Sequence, residues 1–323
     1  EGTCDLLAAL FAEEITPEFL EGIYRETEGN PFFVEEVCKA LVESGELHFA
    51  DGHWHRPSME ELQIPQSVRV AIQSRVGKLP QDVQEVLRLA AILGREFDFD
   101  TLVEAGELNE DTLIDALETA ERAQLIQEVS GEGEVIFAFT HALIPTTLAE
   151  GVRTLRRRRL HRRAAAAIEQ LRTEDYEALA YHYGAAGDEE RALTYYAQAG
   201  ERASAAYANA EAERHFQAVL DLVDETADRA HWLAELGRVQ ARQSRYTEAI
   251  DTWQEAIDIY TALGDTDIVA RLYAHAGRAA HDGGDPPRGL TLCREGMAAV
   301  AGAPDSPGMA SLVHATAPVS YTH

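Results

Sequence analysis

Residues 28–36, EGNPFFVEE, form a predicted turn between two helices that could hold a flat ligand. Gly29 suits the end of the first helix, and the Asn30 side chain can cap free N–H groups of the second. Pro31 fits the first turn of that second helix, where its missing N–H costs nothing. The turn therefore fixes a hydrophobic wall in one place, and a purine ring could lie against it. The spacing also allows a simpler interpretation, in which Pro31 only begins a helix.

His141 is a second candidate, because it stands where a predicted strand, 135–139, leads into a helix. An imidazole N–H can donate a hydrogen bond to a phosphate oxygen, and the histidine pKa permits a charge near neutrality. Alternatively, a histidine at the start of a helix can be hydrogen-bonded to the backbone and have no ligand. The sequence leaves both interpretations of His141 open.

A metal site and a catalytic phosphate loop are the other kinds of site to consider. His53 and His55 would share one face of a strand in a hairpin that turns at Asp51-Gly52, and they could form half of a metal site. No acid or cysteine is spaced to complete it, so we expect an exposed hairpin and no metal. The sequence contains no GxxxxGK[S/T] loop and no Walker B strand. We therefore expect no catalytic residues and no ATP hydrolysis by these residues alone.

The run GNPFFVEE, residues 29–36, resembles the lid-subdomain motif of the STAND class of signal-transduction ATPases. More narrowly, the chain is similar to LuxR-type large ATP-binding regulators, which join an AAA-like ATPase, a winged helix and tetratricopeptide repeats. The resemblance implies a site for ATP or ADP, with Mg in the full-length protein, in which Pro31 contacts the adenine and Asn30 takes part. It also implies that the phosphate-binding domain precedes residue 1, so that the chain is a fragment of an ATPase. In similar architectures an upstream kinase or cyclase domain is common.

His141 matches a histidine of plant and animal immune receptors in the same class, which reaches the β-phosphate of ADP in the resting state. The match is incomplete, because Thr140 and Ala142 stand where those receptors have methionine and aspartate. The resemblance implies a switch: ADP holds the protein closed, the repeats sense an inducer or a protein partner, and exchange to ATP releases self-association. A different class of function stays open, namely a non-enzymatic scaffold whose tetratricopeptide repeats bind a protein.

Hydrophobic periodicity predicts a mainly α fold, with a winged helix between residues 66 and 150. Three helices precede a two-stranded wing, and we expect its last helix to turn Leu113, Ile114, Leu117 and Ala120 inward. This helix would enter a DNA groove, yet its charges are mostly negative: Glu110, Asp111, Asp115, Glu118 and Glu121 against Arg122. Since phosphate contacts need Lys or Arg, we expect no direct nucleic-acid binding by this module.

Residues 153–163, RTLRRRRLHRR, begin an arginine-rich linker helix whose apolar side would extend from Leu155 through Leu160 to Leu171. So many arginines in an acidic chain could bind nucleic acid, but no aromatic residues are interleaved for base stacking. We favour the alternative, in which the arginines neutralise acidic faces of neighbouring helices.

Small and large residues recur with tetratricopeptide spacing from residue 175, at a period near 40. One degenerate repeat keeps only its second helix, at Ala212, Phe216 and Val219. The other three sets are Leu179, Tyr183, Gly187, Ala192, Tyr196 and Ala199; Leu236, Gly237, Ala249, Trp253 and Ala256; and, more weakly, Ala276, Gly277, Gly289, Cys293 and Gly296.

The predicted organisation ends in a segment without repeats. Pro304 and Pro307 break the pattern after Val300, so we expect an irregular, truncated tail and no capping helix. The predicted domains are 1–45, the end of an AAA-like lid subdomain; 46–65, a hairpin and linker; 66–150, a winged helix; 151–174, the arginine-rich helix; 175–302, tetratricopeptide-like repeats; and 303–323, the tail.

Composition limits the setting in which the chain works. Hydrophobic residues make up 46% of it, as in globular proteins, and no apolar run is long enough to span a bilayer. The three cysteines are far apart and no secretory signal opens the chain, so we expect a reduced, cytoplasmic setting without a membrane partner. The formal charge of −28 should repel nucleic acid and anionic membranes. Such a surface suits a salt-loaded cytoplasm, and we hypothesise a halophilic source.

Molar salt is expected to raise the melting temperature of the protein, because it shortens the screening length to ~3 Å and relieves repulsion among the carboxylates. Thermal unfolding followed by circular dichroism at low and at molar KCl tests this. An unchanged helical signal and an unchanged melting temperature over that range would remove the halophile hypothesis.

Overall fold

The structure is a computed structural model, and it describes residues 17–27, 33–34, 37–38, 41–42, 47–50, 53–55, 66–130, 135–224 and 227–316. The chain divides into two compact units, residues 1–173 and 174–323. Both are mainly helical, as the sequence predicts. Within the described ranges, no helix has the length and apolar character needed to cross a membrane.

The first unit combines helices with two small antiparallel sheets. Its described elements are α1 (Pro17–Thr27), β1 (His48–Ala50), β2 (His53–His55), α2 (Gln66–Gly77), α3 (Gln81–Leu93), β3 (Glu96–Asp98), α4 (Phe99–Ala105), α5 (Glu110–Arg122), β4 (Ile126–Ser130), β5 (Val135–Phe139), α6 (Leu143–Glu150) and α7 (Thr154–Leu171). Strands β1 and β2 form the predicted hairpin, with His48 opposite His55 and Ala50 opposite His53.

The second sheet has three strands, in the order β3-β5-β4, where the sequence predicts two. Strand β3 lies between α3 and α4, and strands β4 and β5 follow α5. The added strand, β3, pairs Phe97 with Phe137, and the two rings stack with centroids 6.0 Å apart. Sequence reasoning missed it because three residues with one buried side chain show no alternation.

Side-chain caps fix the helices that surround this sheet. The Asp98 carboxylate accepts a hydrogen bond from Thr101 N at 2.7 Å and begins α4, and Asn109 Oδ1 accepts one from Thr112 N at 2.9 Å and begins α5. The prediction that Ile114 faces inward is wrong, since its side chain is 40% exposed. The buried residues of α5 are Leu113, Ala116, Leu117 and Ala120, and Ile114 lies beside this stripe.

Helix α7 covers the first unit with only the middle of its predicted apolar side. Leu160, Ala164 and Ile168 are buried, whereas Leu155 is 82% exposed and Leu171 is 47% exposed. The prediction of a buried stripe along the whole helix is therefore wrong at both ends.

The second unit is a series of helices in which consecutive members pack against each other. They are α8 (Tyr176–Ala186), α9 (Glu189–Ala205), α10 (Asn209–Leu220), α11 (Ala227–Arg242), α12 (Tyr246–Leu263), α13 (Thr266–Asp282), α14 (Pro286–Ala299) and α15 (Pro307–Thr316). This is the tetratricopeptide-like helical repeat that the sequence predicts.

Glycines let the paired helices of the repeats approach closely. A Cβ added at Gly237 on α11 would lie 2.7 Å from Trp253 Cδ1 on α12, and one at Gly277 would overlap the Cys293 thiol. The Trp253 indole N–H donates to the Ala234 carbonyl at 3.1 Å, which fixes the ring in this gap. In the predicted sets that contain Gly237 and Gly277, the small residue and the larger one therefore face each other across a helix pair.

Two details of the repeats differ from the prediction. The degenerate set at Phe216 has its partner in Gly200, so α9 also serves as the first helix of the pair with α10. Gly187 is not at a packing contact between two helices. It ends α8 with φ of 78°, a left-handed conformation that glycine adopts at helix ends.

The predicted irregular tail is wrong for residues 307–316, which form α15. Ser306 Oγ accepts from Met309 N at 3.2 Å and caps the helix, so the proline after it begins a helix and does not only break one. Asp267 Oδ1 accepts from Gly308 N at 2.7 Å, and Leu312 is fully buried. A helix thus covers α13 and α14. Residues 317–323 lie outside the described residues.

Replacing Gly237 with alanine is expected to destabilise the protein by about 1–3 kcal/mol, because the new methyl group overlaps the Trp253 ring in a packed core. Urea denaturation followed by circular dichroism measures this. Gly184→Ala is the matched control, since its new methyl group would lie 3.7 Å from Ala192 Cβ. There the gain in helix propensity, up to about 1 kcal/mol, should dominate. Equal losses of stability in both variants would contradict the packing argument.

Candidate functional site

His141 lies in a short turn between β5 and α6, and the backbone fixes the position of this turn. The Thr140 N–H donates to the Leu125 carbonyl at 3.1 Å, and Thr140 Oγ1 donates to the Gln124 carbonyl at 3.0 Å. The His141 carbonyl accepts from Ile144 N at 3.1 Å, at the start of α6. The predicted corner is therefore rigidly tied to the neighbouring strand, and the His141 side chain is 1% exposed.

One nitrogen of the His141 ring is used by the protein itself. Nδ1 accepts a hydrogen bond from Leu143 N–H at 3.1 Å. A nitrogen that accepts carries no proton, so the neutral ring has its N–H at Nε2. This bond matches the backbone-bonded interpretation of His141. In this tautomer Nε2–H is the donor of the ring, and such an N–H is the kind of group that binds a phosphate oxygen.

The run at residues 29–36 reaches this corner through Phe33. The rings of Phe33 and His141 have centroids 4.2 Å apart, at an interplanar angle of 35°. Phe33 is 2% exposed and Val34 is fully buried, so this part of the run belongs to the core of the first unit. The structure therefore brings together two segments, residues 29–36 and the corner at His141, which the sequence indicates as separate candidates. Asn30 and Pro31 themselves lie outside the described residues.

Burial restricts what His141 can do in this arrangement. At 1% exposure the ring is covered, and a phosphate group could meet Nε2 only if the surrounding side chains moved. An aromatic contact of this kind contributes about 0.5–1.5 kcal/mol beyond the burial of the two rings.

Arg159 and Arg163 of α7, and Arg172 just after it, are paired with acidic side chains of the same unit. Arg163 Nη1 lies 3.0 Å from Glu107 Oε1, and just after the helix Arg172 Nη1 lies 3.2 Å from Asp98 Oδ2. Arg159 also contacts Glu107, at 2.5 Å. These pairs fit the interpretation in which the arginines neutralise neighbouring acids. Sequence reasoning could not identify the individual partners, because they lie far away in the chain.

Metal-ligating side chains are not clustered in the part of the chain that the structure describes. There, no group of three or more His, Cys, Asp or Glu side chains could hold a metal ion. Cys38 and Cys293 are buried free thiols, and burial raises the pKa of Cys38 to about 12 and also raises that of Cys293. These two thiols therefore stay protonated at neutral pH and are poor metal ligands.

Comparison with known proteins gives a distant curated relative. No family model matches the chain. An uncharacterized protein of Rhizobium meliloti (strain 1021) is 26% identical over 224 residues, which are 66% of this chain and 21% of that protein. The chain therefore spans about a fifth of the length of this relative.

Two solved structures resemble the chain in their helical architecture. The crystal structure of aspartyl phosphate phosphatase F from Bacillus subtilis has a TM-score of 0.36 and 12% identity, over 97% of this chain and 72% of that one. A Signal Transduction ATPase with Numerous Domains (STAND) protein with a tetratricopeptide repeat sensor, from Pyrococcus horikoshii, has a TM-score of 0.29 and 11% identity, over 92% of this chain and 53% of that one. At such scores neither similarity carries an argument about function.

The contact between Phe33 and His141 predicts energetic coupling between the two positions. A double-mutant cycle with Phe33→Leu and His141→Gln is expected to give a coupling energy of about 0.5–1.5 kcal/mol in urea denaturation. Phe33→Leu combined with His182→Gln, a buried histidine of the other unit, is the control and should be additive. Additivity of the first pair would show that the ring contact contributes nothing to stability.

Proposed function

We propose that this chain is the regulatory part of a nucleotide-switched (ATP/ADP) signalling or transcription-regulating ATPase of the STAND class. The repeats of the second unit sense an inducer or a protein partner. The observation that carries the proposal is the contact between the Phe33 and His141 rings. It brings the run that resembles the adenine-contacting motif against the histidine that resembles the phosphate contact.

The residues present have the chemistry that a bound ADP would require on this side. Nε2–H of His141 is a donor suited to a phosphate oxygen, and its direction is set by the Leu143 N–H bond to Nδ1. Pro31 and Asn30 would complete the adenine side. ADP in the resting state and ATP in the active state differ by one charged phosphate group. The chain contributes a positioned donor and a hydrophobic wall.

The second unit supplies the sensing surface in this proposal. A solenoid of paired helices presents an extended face whose side chains can vary while its packing is kept. Its core rests on glycine and aromatic pairs such as Gly237 with Trp253, which leaves the outward positions for recognition. A protein partner or a small-molecule inducer fits such a face, and self-association of the full-length protein would follow the switch.

ADP binding to the full-length protein tests the role of His141. His141→Ala is expected to weaken ADP affinity about 10-fold or more, because a hydrogen bond to a charged group is worth about 1.5–3 kcal/mol. His141→Gln keeps an N–H donor and should lose less. Calorimetric titration measures both variants.

His182→Ala is the matched control, since it also removes a buried imidazole but lies in the repeat unit. ADP affinity should be unchanged in that variant. Unchanged affinity in His141→Ala, together with unchanged resting activity, would overturn the proposed contact.

A further inference from the structure

A cavity of about 90 Å³ lies in the first unit between α7 and the helices α3, α4 and α5. Leucines from all four helices line it: Leu89, Leu102, Leu113 and Leu160. All four are buried, so its floor is apolar. A single water needs about 10–15 Å³ on this measure, so the space admits roughly six waters or a short hydrocarbon group.

The rim of the same cavity is basic. Arg156, Arg159 and Arg163 line it at spacings of three and four residues, which places them on one face of α7. Arg88 lines it from α3, and the acidic residues of the lining are Glu85 and Glu107. Four arginines against two glutamates give the lining a charge of +2, in a chain whose formal charge is −28. This cavity is therefore a local exception to the charge of the protein.

Glu107 shows which kind of group the rim accepts. Its Oε1 atom receives both Arg159 Nη2, at 2.5 Å, and Arg163 Nη1, at 3.0 Å. Arg159 and Glu107 are mostly exposed, at 68% and 60%, so water screens this pair and it is weak. Its geometry nevertheless shows that the arginines of the rim can hold a carboxylate oxygen.

Arg156 has donors left for a second anion. Its Nη2 atom lies 3.8 Å from Glu85 Oε1, which is longer than a hydrogen bond, and it donates none to the residues that the structure describes. A guanidinium group has five N–H donors in a planar fork.

We propose that this cavity binds a small carboxylate with a short hydrocarbon tail, with the carboxylate at Arg156 and the tail on the leucine floor. The basic rim selects a negative charge, and the apolar floor selects the tail. A polyanion such as nucleic acid needs an extended exposed track, which a closed-floored cavity of this size does not give. Binding here would link α7 to α3, α4 and α5. The proposal does not depend on the nucleotide switch.

Titration of the 323-residue chain with hexanoate, in the absence of nucleotide, tests the proposal. Acetate has the charge without the tail, hexan-1-ol has the tail without the charge, and hexylamine has the opposite charge. Leucine-methyl NMR should show saturable shifts at Leu89, Leu102 and Leu113 with hexanoate. Acetate and hexanol should bind at least 10-fold more weakly, and hexylamine should not bind.

Arg156→Gln should weaken hexanoate binding at least 10-fold. Arg156→Lys keeps the charge but loses the planar fork, so its affinity for hexanoate should lie between those of the wild type and Arg156→Gln. Arg158→Gln is the matched control, because it removes the same charge from a position on the same helix that does not line the cavity, and it should change affinity less than twofold. Circular dichroism confirms that each variant is folded.

Two results would overturn the proposal. One is the absence of saturable shifts with hexanoate, which would make the cavity a water-filled packing gap. The other is an equal loss of affinity in Arg156→Gln and Arg158→Gln, which would show a general charge effect. Neither result bears on ADP binding, so a failure here and a failure of the proposed switch can be told apart.

Discussion

The tilted contact between Phe33 and the buried ring of His141 joins two distant parts of the first unit. It joins the helical residues before the hairpin to the three helices and the sheet that follow. The corner is held from both sides, by Thr140 bonded to the previous strand and by the Leu143 N–H on Nδ1. Both rings are buried within the first unit, so the contact is part of its packing.

The second unit depends on a different constraint, the close approach of helices at small residues. Gly200, Gly237 and Gly277 face Phe216, Trp253 and Cys293 in turn. In each pair the glycine has no side chain, which leaves room for the larger side chain of the neighbouring helix. Further repeats can be added, and the outer face can vary, without a change in these contacts. Stability and recognition are thereby separated onto different positions, as is usual for repeat proteins.

The repeats could be predicted from the sequence because each contact is encoded within one helix pair. The caps at Asp98 and Asn109 were equally local. Strand β3 could not be predicted, since it is held by pairing with β5 some 40 residues later. Helix α15 was missed because its burial depends on Gly296, where a Cβ would lie 3.1 Å from Leu312 Cδ2. A proline in a short polar segment does not reveal such a distant partner.

The candidate site was predicted only in part for the same reason. His141 was found through its position at a strand-to-helix corner, but its contact with Phe33 joins residues far apart in the chain. The arginines of α7 were interpreted correctly as partners of acids, while the apolar cavity beneath them had no sequence signal. Composition shows an excess of acidic residues, and only the fold shows which of them pair with the arginines.

Hydrogen exchange of the full-length protein with ADP and with ATP tests the nucleotide switch most directly. The Leu143 amide, which is bonded to His141, should exchange more slowly with ADP than with ATP, and protection in the repeat region should also differ between the two states. Identical exchange at Leu143 and across the repeats in both states would contradict the switch and favour a plain protein-binding scaffold.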